Sequence, residues 1–330
     1  MSDQLNIRMA SDFDAGEGIG DSEASSADAT LSVHVSKKAK CEPSMILRVL
    51  NSALSLKNHG KDEKEFDYLL NGDMSELDHV IKYNIMTHDD FWCSIGYSLL
   101  KNAVESGLID VVQMLLKYAD NNTIKALELN FNQLLFACKA GHIEVIRLLL
   151  EHGFNPNLMR VDRRDYNETC LAYACSNRKF AMVELLLKHG ADPNLFVSDD
   201  LPPIFHACAS GGIDVVTMLL DYGADINRTG RYGATVLSYL YGNLDLARFL
   251  LNHGANVNGV DKEGKTPLMC AVRRSLRYLP HTTGLIQLLL EYGADPSIPD
   301  SHGKTALDLV DRGSEIAQLI MNSQIECVLK

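Results

Sequence analysis

Residues 218–227 read MLLDYGADIN, and the phrase returns as LLLEHGFNPN at 148–157, LLLKHGADPN at 185–194, FLLNHGANVN at 249–258 and LLLEYGADPS at 288–297. Its glycines are Gly153, Gly190, Gly223, Gly254 and Gly293, so the steps are 37, 33, 31 and 39 residues. A period of about 33 residues built from one helical unit describes a solenoid, in which each unit touches only its neighbours.

The phrase has a mechanical reading. Val215, Val216, Met218, Leu219 and Leu220 recur at helical spacing and make the buried side of a short helix. The following Gly takes a positive φ and closes the C-terminus. Ala-Asp, then Pro or a β-branched residue, then Asn turn the chain into a side-chain-bonded hairpin.

Eight residues after that Asn stands a second marker. It is Thr266-Pro267-Leu268 in the fullest copy, Thr235-Val236-Leu237 and Thr305-Ala306-Leu307 elsewhere, with Pro202-Pro203-Ile204 in another. Thr caps a first helix and Pro suits its first turn. On these two markers the chain resembles the ankyrin-repeat family over about residues 98–320, with a weaker likeness back to about residue 64. The resemblance implies an all-α solenoid of stacked helix pairs joined by β-hairpin fingers. It also implies protein binding through a concave surface of finger tips and first helices.

Both ends carry atypical copies, as the water-facing ends of a solenoid require. Ser98-Leu99-Leu100 opens a pair closed by Tyr118-Ala119-Asp120, with Ala in the Gly place. Phe66-Asp67-Tyr68-Leu69-Leu70 and Gly72-Asp73 read as a half-repeat. At the other end Asp308-Leu309 and Ile316 to Ile320 make a last pair without the closing phrase. The predicted array spans 64–330 with seven or eight units. Residues 45–63, with apolar residues at helical spacing, lead into it as a helix that packs on the first repeat or docks a partner. Residues 1–44, rich in Ser, Ala and Asp, read as a disordered tail. In that tail, which reads first as a solubilising segment, Ser11 and Ser25 each precede Asp by three residues, a pattern resembling acidophilic-kinase sites, and Lys37-Lys38-Ala39-Lys40 is a run short for a nuclear-import signal.

Net charge is −12 over 330 residues and apolar residues make up 46%, enough for a continuous core. The negative balance argues against nucleic-acid binding by bulk charge. No stretch is long and apolar enough for a membrane span, and the N-terminus lacks a signal-peptide pattern, so a cytoplasmic, monomeric protein is expected, with nuclear residence as the alternative. Of eight cysteines, Cys138, Cys175 and Cys208 share one place in successive first helices, where a small hydrophobe packs between neighbours. No C-x-x-C spacing suggests zinc. His152, His189 and His253 likewise share one slot before the glycine, filled by Tyr222 and Tyr292 in other copies, which reads as a structural ladder.

Breaks in register are the functional clues, because solenoid insertions map to loops. Thr169 lies twelve residues after Asn157 instead of eight, which lengthens one finger through Arg160, Arg163, Arg164 and Tyr166. That finger is either a contact surface, since Arg and Tyr are favoured at hot spots, or a solvated loop with internal Arg–Asp pairs. Six extra residues separate the helices of the Thr266 copy, adding Arg273, Arg274, Arg277 and Tyr278. Two residues are missing near Tyr239-Leu240-Tyr241-Gly242, which predicts a shortened helix. By the resemblance, the remaining finger-tip candidates are Asp199, Asp200, Arg228, Arg231, Tyr232, Asp261, Lys262, Asp300 and His302. It also marks Asn157, Asn194, Asn227 and Asn258, each eight residues after a Leu, as candidates for asparaginyl hydroxylation beside a purely structural turn role.

No phosphate loop, dinucleotide fingerprint, His-Glu-x-x-His or nucleophile elbow occurs. An interaction scaffold without catalytic residues, metal or cofactor is the expected function. Two narrower readings stand beside it. One is a transcription-factor regulator resembling the NF-κB inhibitor family, although Asp21-Ser22-Glu23-Ala24-Ser25 lacks the Gly of that family's degradation signal. The other is a ubiquitin-ligase substrate receptor of the ankyrin–SOCS-box type, disfavoured here because Lys330 follows the final repeat closely.

Overall fold

The computed structural model describes residue 78, residues 81–82, 95–130, 133–159, 168–196, 201–240, 242–275 and 283–329. The tail, the 45–63 helix, the half-repeat at 66–73, Ser11, Ser25 and the basic run at 37–40 lie outside the described residues.

Thirteen α-helices and no strands occur among the described residues. The helices α1 (Ile95–Ser106) and α2 (Ile109–Leu116) form the first described pair. After them come α3 (Asn121–Asn130), α4 (Gln133–Ala140) with α5 (Ile143–Glu151), and α6 (Cys170–Ser176) with α7 (Phe180–Lys188). The pair α8 (Pro203–Ala209) and α9 (Ile213–Asp221) follows, then a 3-10 turn Val236–Tyr239 with α10 (Leu244–Asn252). The last units are α11 (Pro267–Ser275) with α12 (Thr283–Glu291), and a 3-10 turn Leu307–Leu309 with α13 (Glu315–Leu329). First elements pack on the next first elements, and second helices on second helices.

The core is one continuous apolar seam between units. Leu149, Leu186, Leu219, Leu250 and Leu289, one from each copy of the repeated phrase, are all fully buried. Thr169 caps α6 by accepting from Ala172 N at 3.1 Å, and Thr266 caps α11 from Met269 N at 3.3 Å. Gly153, Gly190, Gly223, Gly254 and Gly293 hold φ between 84° and 87° with open space where a Cβ would stand, so their requirement is torsional rather than steric.

The fingers are tighter than hairpins with strands. Among the described residues each is a turn whose ends are joined by Gly230 N to Ala234 O, Asp261 N to Lys265 O or Asp300 N to Lys304 O, around an inner bond from Gly233 N to Gly230 O, Gly264 N to Asp261 O or Gly303 N to Asp300 O. Successive fingers are joined by Lys262 N to Tyr232 O and Ser301 N to Glu263 O, both 2.8 Å. A single bond at each junction is too little for a ladder. Between α2 and α4 the finger is replaced outright by α3, whose start is fixed by Asp120 accepting from Thr123 N at 2.7 Å. The Thr123 side-chain hydrogen bond, and after it that backbone bond, hold the Asp120 carboxyl below its usual range.

The four asparagines of the repeated phrase clip the units together. Each side-chain amide donates to the next unit's glycine carbonyl: Asn157 to Gly190 and Asn194 to Gly223 at 2.9 Å, Asn227 to Gly254 and Asn258 to Gly293 at 3.1 Å. Each amide oxygen accepts from a backbone N–H two residues after that glycine: Asp192, Asp225, Asn256 and Asp295, at 2.7–2.8 Å. A neutral amide carries on separate atoms the donor and the acceptor that this pair of hydrogen bonds needs, and a carboxylate lacks the donor.

Gly107, Gly141, Gly211 and Gly242 turn first helices into second ones at positive φ, and Arg178 holds that slot in the α6–α7 pair at φ 51°. A side chain there is strained by ~1–2 kcal/mol. Arg178→Gly is therefore expected to raise the unfolding free energy by about 0.5–1 kcal/mol, the remainder offset by the greater freedom of Gly in the unfolded chain. A chemical-denaturation midpoint below wild type would contradict this.

The cysteines sit where register placed them. Cys138, Cys175 and Cys208 are buried, and burial pushes the Cys208 thiol up from 9.0 to about 12 and the Cys175 thiol higher. Groups whose folded pKa is raised contribute stability that is complete below the unfolded value and is lost as pH rises through the folded one. The melting temperature should therefore fall as pH rises from 9 toward 12, with a shallower fall in Cys208→Ala. The slot histidines cap their own helices: the carbonyls of Leu148 and Phe249 accept from Nδ1 of His152 and His253 at 2.8 and 2.7 Å.

Candidate functional site

The fourth residue of each first element is held on one side of the stack, because its neighbours on either side face the core. These residues are Phe136, Tyr173, His206, Tyr239 and Cys270, all half-buried, so the row is aromatic up to α11, and Lys101 of α1 borders its first end. They meet from unit to unit. Lys101 Nζ lies over the Phe136 ring at 5.4 Å, and Lys139 Nζ over the Tyr173 ring at 5.9 Å. Ser176 Oγ meets His206 Nδ1 at 3.2 Å, and Tyr239 packs edge-on against Phe205 at 5.2 Å. Lys139 also pairs with Glu168 at 2.9 Å. This aromatic row flanked by cations went unnoticed in the sequence, although comparing the fourth position of each copy reveals it.

The fingers border the row, and the structure sorts their candidate residues. Asp261 and Asp300 face inward: each Oδ1 accepts two backbone N–H bonds of its own turn, from Glu263 and Lys265 or from His302 and Lys304, at 2.8–2.9 Å. Those backbone bonds hold Asp300 below the usual carboxylate range. Arg228 lies over the Phe196 ring at 4.4 Å. Lys262 and His302 are exposed at neighbouring tips.

The Arg231–Tyr232 finger differs from the others for a steric reason. Gly230 stands where the next two fingers have Asp261 and Asp300. A Cβ at 230 would lie 2.6 Å from Leu201 Cδ2 and 3.1 Å from Phe205, so a side chain there would have to displace Leu201, and with Gly the turn has no carboxylate to hold it. The turn instead places Tyr232 at φ 59° beside Gly233 at 77°. Tyr232 is thrown outward, 62% exposed, with Arg231 over its ring at 4.9 Å. A bulky residue in strained backbone, holding an exposed aromatic, is a mark of a functional position.

The inter-helix insertion divides as well. Arg273 is exposed. Arg274 instead reaches across to the shortened unit and donates from Nη1 to Leu240 O at 3.0 Å and from Nη2 to Ser238 O. The expected short helix is thus one 3-10 turn whose last carbonyls are held by a neighbour's guanidinium. Arg160, Arg163, Arg164, Tyr166, Asp199, Asp200, Arg277 and Tyr278 lie outside the described residues. The asparagines Asn157, Asn194, Asn227 and Asn258 all serve the clips described above. Among the described residues no three His, Cys, Asp or Glu side chains gather into a metal set, and no helix is long and apolar enough to cross a membrane.

A family model described as ankyrin repeats (3 copies) matches residues 100–197, 161–230, 204–300 and 241–330 in overlapping registers. Among solved structures, the chain is similar to the ankyrin repeat domain of Bcl-3, described as a unique member of the IkappaB protein family. That likeness has 25% identity and a TM-score of 0.57 and covers 67% of this chain and 97% of that one. It is also similar to the human ASB11 ankyrin repeat domain, with 28% identity, a TM-score of 0.52, and coverage of 68% of this chain and 96% of that one. Curated protein sequences contain no match.

Proposed function

The chain belongs to the ankyrin-repeat family, and on that premise we propose that it is a protein-binding scaffold whose partner lies along the aromatic row and the fingers beside it. The observation that carries this reading is Tyr232. The fold keeps an exposed aromatic on strained backbone, stacked with Arg231, at the edge of a row of aromatic side chains. Tyr and Arg supply rigid contact area and charge-assisted bonds, the chemistry of interface hot spots. Arg231, Lys262 and Arg273 add cations to this side, where Lys101 and Lys139 are paired with Glu105 and Glu168, which suits a partner segment carrying carboxylates and apolar side chains.

Regulating a transcription factor and receiving ubiquitin-ligase substrates are both special cases of this reading. One of the two similar structures is described as a member of the IkappaB protein family, which supports the first of these. A cytoplasmic or nuclear monomer and oxygen addition at the four clip asparagines belong to the same proposal.

Tyr232→Gly tests it. Glycine relieves the left-handed strain, so stability should not fall, while loss of the aromatic anchor should weaken partner binding by ~1–2 kcal/mol or more. Affinity purification with mass spectrometry from cells expressing either form should show partners depleted in the variant. A partner set unchanged in both Tyr232→Gly and Tyr173→Ala would refute the assignment of this face.

A further inference from the structure

The second-helix side of the stack carries a groove of a different kind. Between α7 and α9 lies an open hollow of about 620 Å³. Its apolar surface is Phe180, Met218 and Tyr222, and its rim is Glu184, Asp214 and Asp221. Phe180 is 48% exposed and Tyr222 41%. Two neighbouring large aromatics left to water beside a Met floor form a patch rather than scattered exposure.

The electrostatics set this groove apart from its counterparts. In α5 the first-turn Glu144 is answered one turn later by Arg147 at 3.3 Å. In α9 the matching place is Thr217, whose hydroxyl donates to Ile213 O at 2.9 Å. The sequence of α9, IDVVTMLLD, holds no basic residue at all. Across the groove Glu184 has Lys188 at 2.5 Å on its own helix, while Asp214 and Asp221 have no cationic partner among the described residues. The comparable hollow beside α2, of about 570 Å³, is lined by Asp110, Gln113, Met114, Lys117 and His152 and has a lysine in its wall.

We infer that the α7–α9 groove is a second docking surface, and that its occupant is a cationic segment of another protein presenting an apolar side chain between Lys or Arg residues. The apolar side chain enters between Phe180 and Tyr222 over Met218, and the flanking cations meet Asp214 and Asp221. Charge complementarity selects this occupant: a second copy of a chain with net charge −12 would bring like charge to the rim. The surface lies on the opposite helices from the aromatic row, so the two can be filled together, and its test does not depend on the first.

The probe is a fluorescein-labelled helical peptide with a central Leu-x-x-Leu pair flanked by Arg residues, titrated with the full chain by fluorescence anisotropy. Its control has Glu in place of Arg. Saturable binding of the Arg peptide is expected, with the Glu peptide at least tenfold weaker. Binding should weaken at least fivefold in Asp214→Asn with Asp221→Asn, and likewise in Phe180→Ala, and should decline with added NaCl. Tyr232→Gly should leave it unchanged, so failure here is distinct from failure of the first proposal. Thermal melts of each variant confirm that it is folded. Absence of saturable binding, equal binding of the Glu peptide, or indifference to both groove variants would overturn the inference. So would a concentration-dependent dimer of the chain that is lost in Phe180→Ala, since that would make the occupant a second copy.

Discussion

Arg274→Ala is expected to lower the unfolding free energy by ~2–4 kcal/mol, the larger end applying if the freed carbonyls find no water. The unit built on Val236–Tyr239 lacks the residues for a full first helix, and a helix end leaves carbonyls without partners. Ser238 and Leu240 are 4% and 3% exposed, so water reaches them poorly. The Arg274 guanidinium supplies both donors from the next unit. Bonds to a charged donor contribute ~1.5–3 kcal/mol each, less than additively for a shared guanidinium. Arg274→Lys should recover only part of the loss, because an ammonium cannot reproduce the planar fork. Arg273→Ala, three atoms of backbone away but facing water, should stay within about 0.5 kcal/mol of wild type. Urea denaturation of the three variants measures this, and equal midpoints for Arg273→Ala and Arg274→Ala would deny the clamp.

Asn194→Asp is expected to cost ~2–3 kcal/mol, more than Asn194→Ala at ~1–2 kcal/mol. Alanine removes two bonds of ~0.5–1.5 kcal/mol each, Asn194 Nδ2 to Gly223 O and Asp225 N to Asn194 Oδ1. Aspartate keeps the acceptor but turns a carboxylate oxygen toward the Gly223 carbonyl, replacing attraction with repulsion. In a stack of nearest-neighbour units the loss falls on one junction. Hydrogen exchange should therefore quicken at the Asp225 amide and in α9 before it does so in α5. Identical midpoints for the Ala and Asp variants would show that the Gly223 carbonyl does not read the donor.

These two residues also show what sequence alone could and could not disclose. The clip asparagines were legible as positions, because they recur in a phrase whose period is the unit itself. Their partners could be inferred only once the stack brought each Asn beside the next unit's glycine. Arg274 was legible merely as part of a basic insertion. Its role depends on a deletion 34–36 residues earlier that leaves buried carbonyls without helix partners, and no local pattern links the two. Register puts Tyr232 at a finger tip, but its left-handed backbone and the crowding of position 230 by Leu201 from another unit appear only in the folded stack. The helix α3 is hidden in the sequence for a simpler reason: Tyr118-Ala119-Asp120 matches the closing phrase of a pair, whereas the Asp120 carboxylate opens a helix. Arg178 could have been found by aligning it with Gly107, Gly141 and Gly211, since it breaks a slot that otherwise demands left-handed backbone.

The row of clips stops at Gly293. In the next copy the place of Asn is taken by Ser297, whose hydroxyl turns back to Asp295 Oδ1 at 2.6 Å within its own turn. The unit of Leu307–Leu309 and α13 is thus joined to its neighbour by packing and one finger bond, without the rivet that holds the units before it. From Asn157 onward, that junction is the weakest link under tension along the stack. A chain stretched between its ends should yield there in a first small step, well before the riveted segment from Asn157 to Gly293 parts at a higher force.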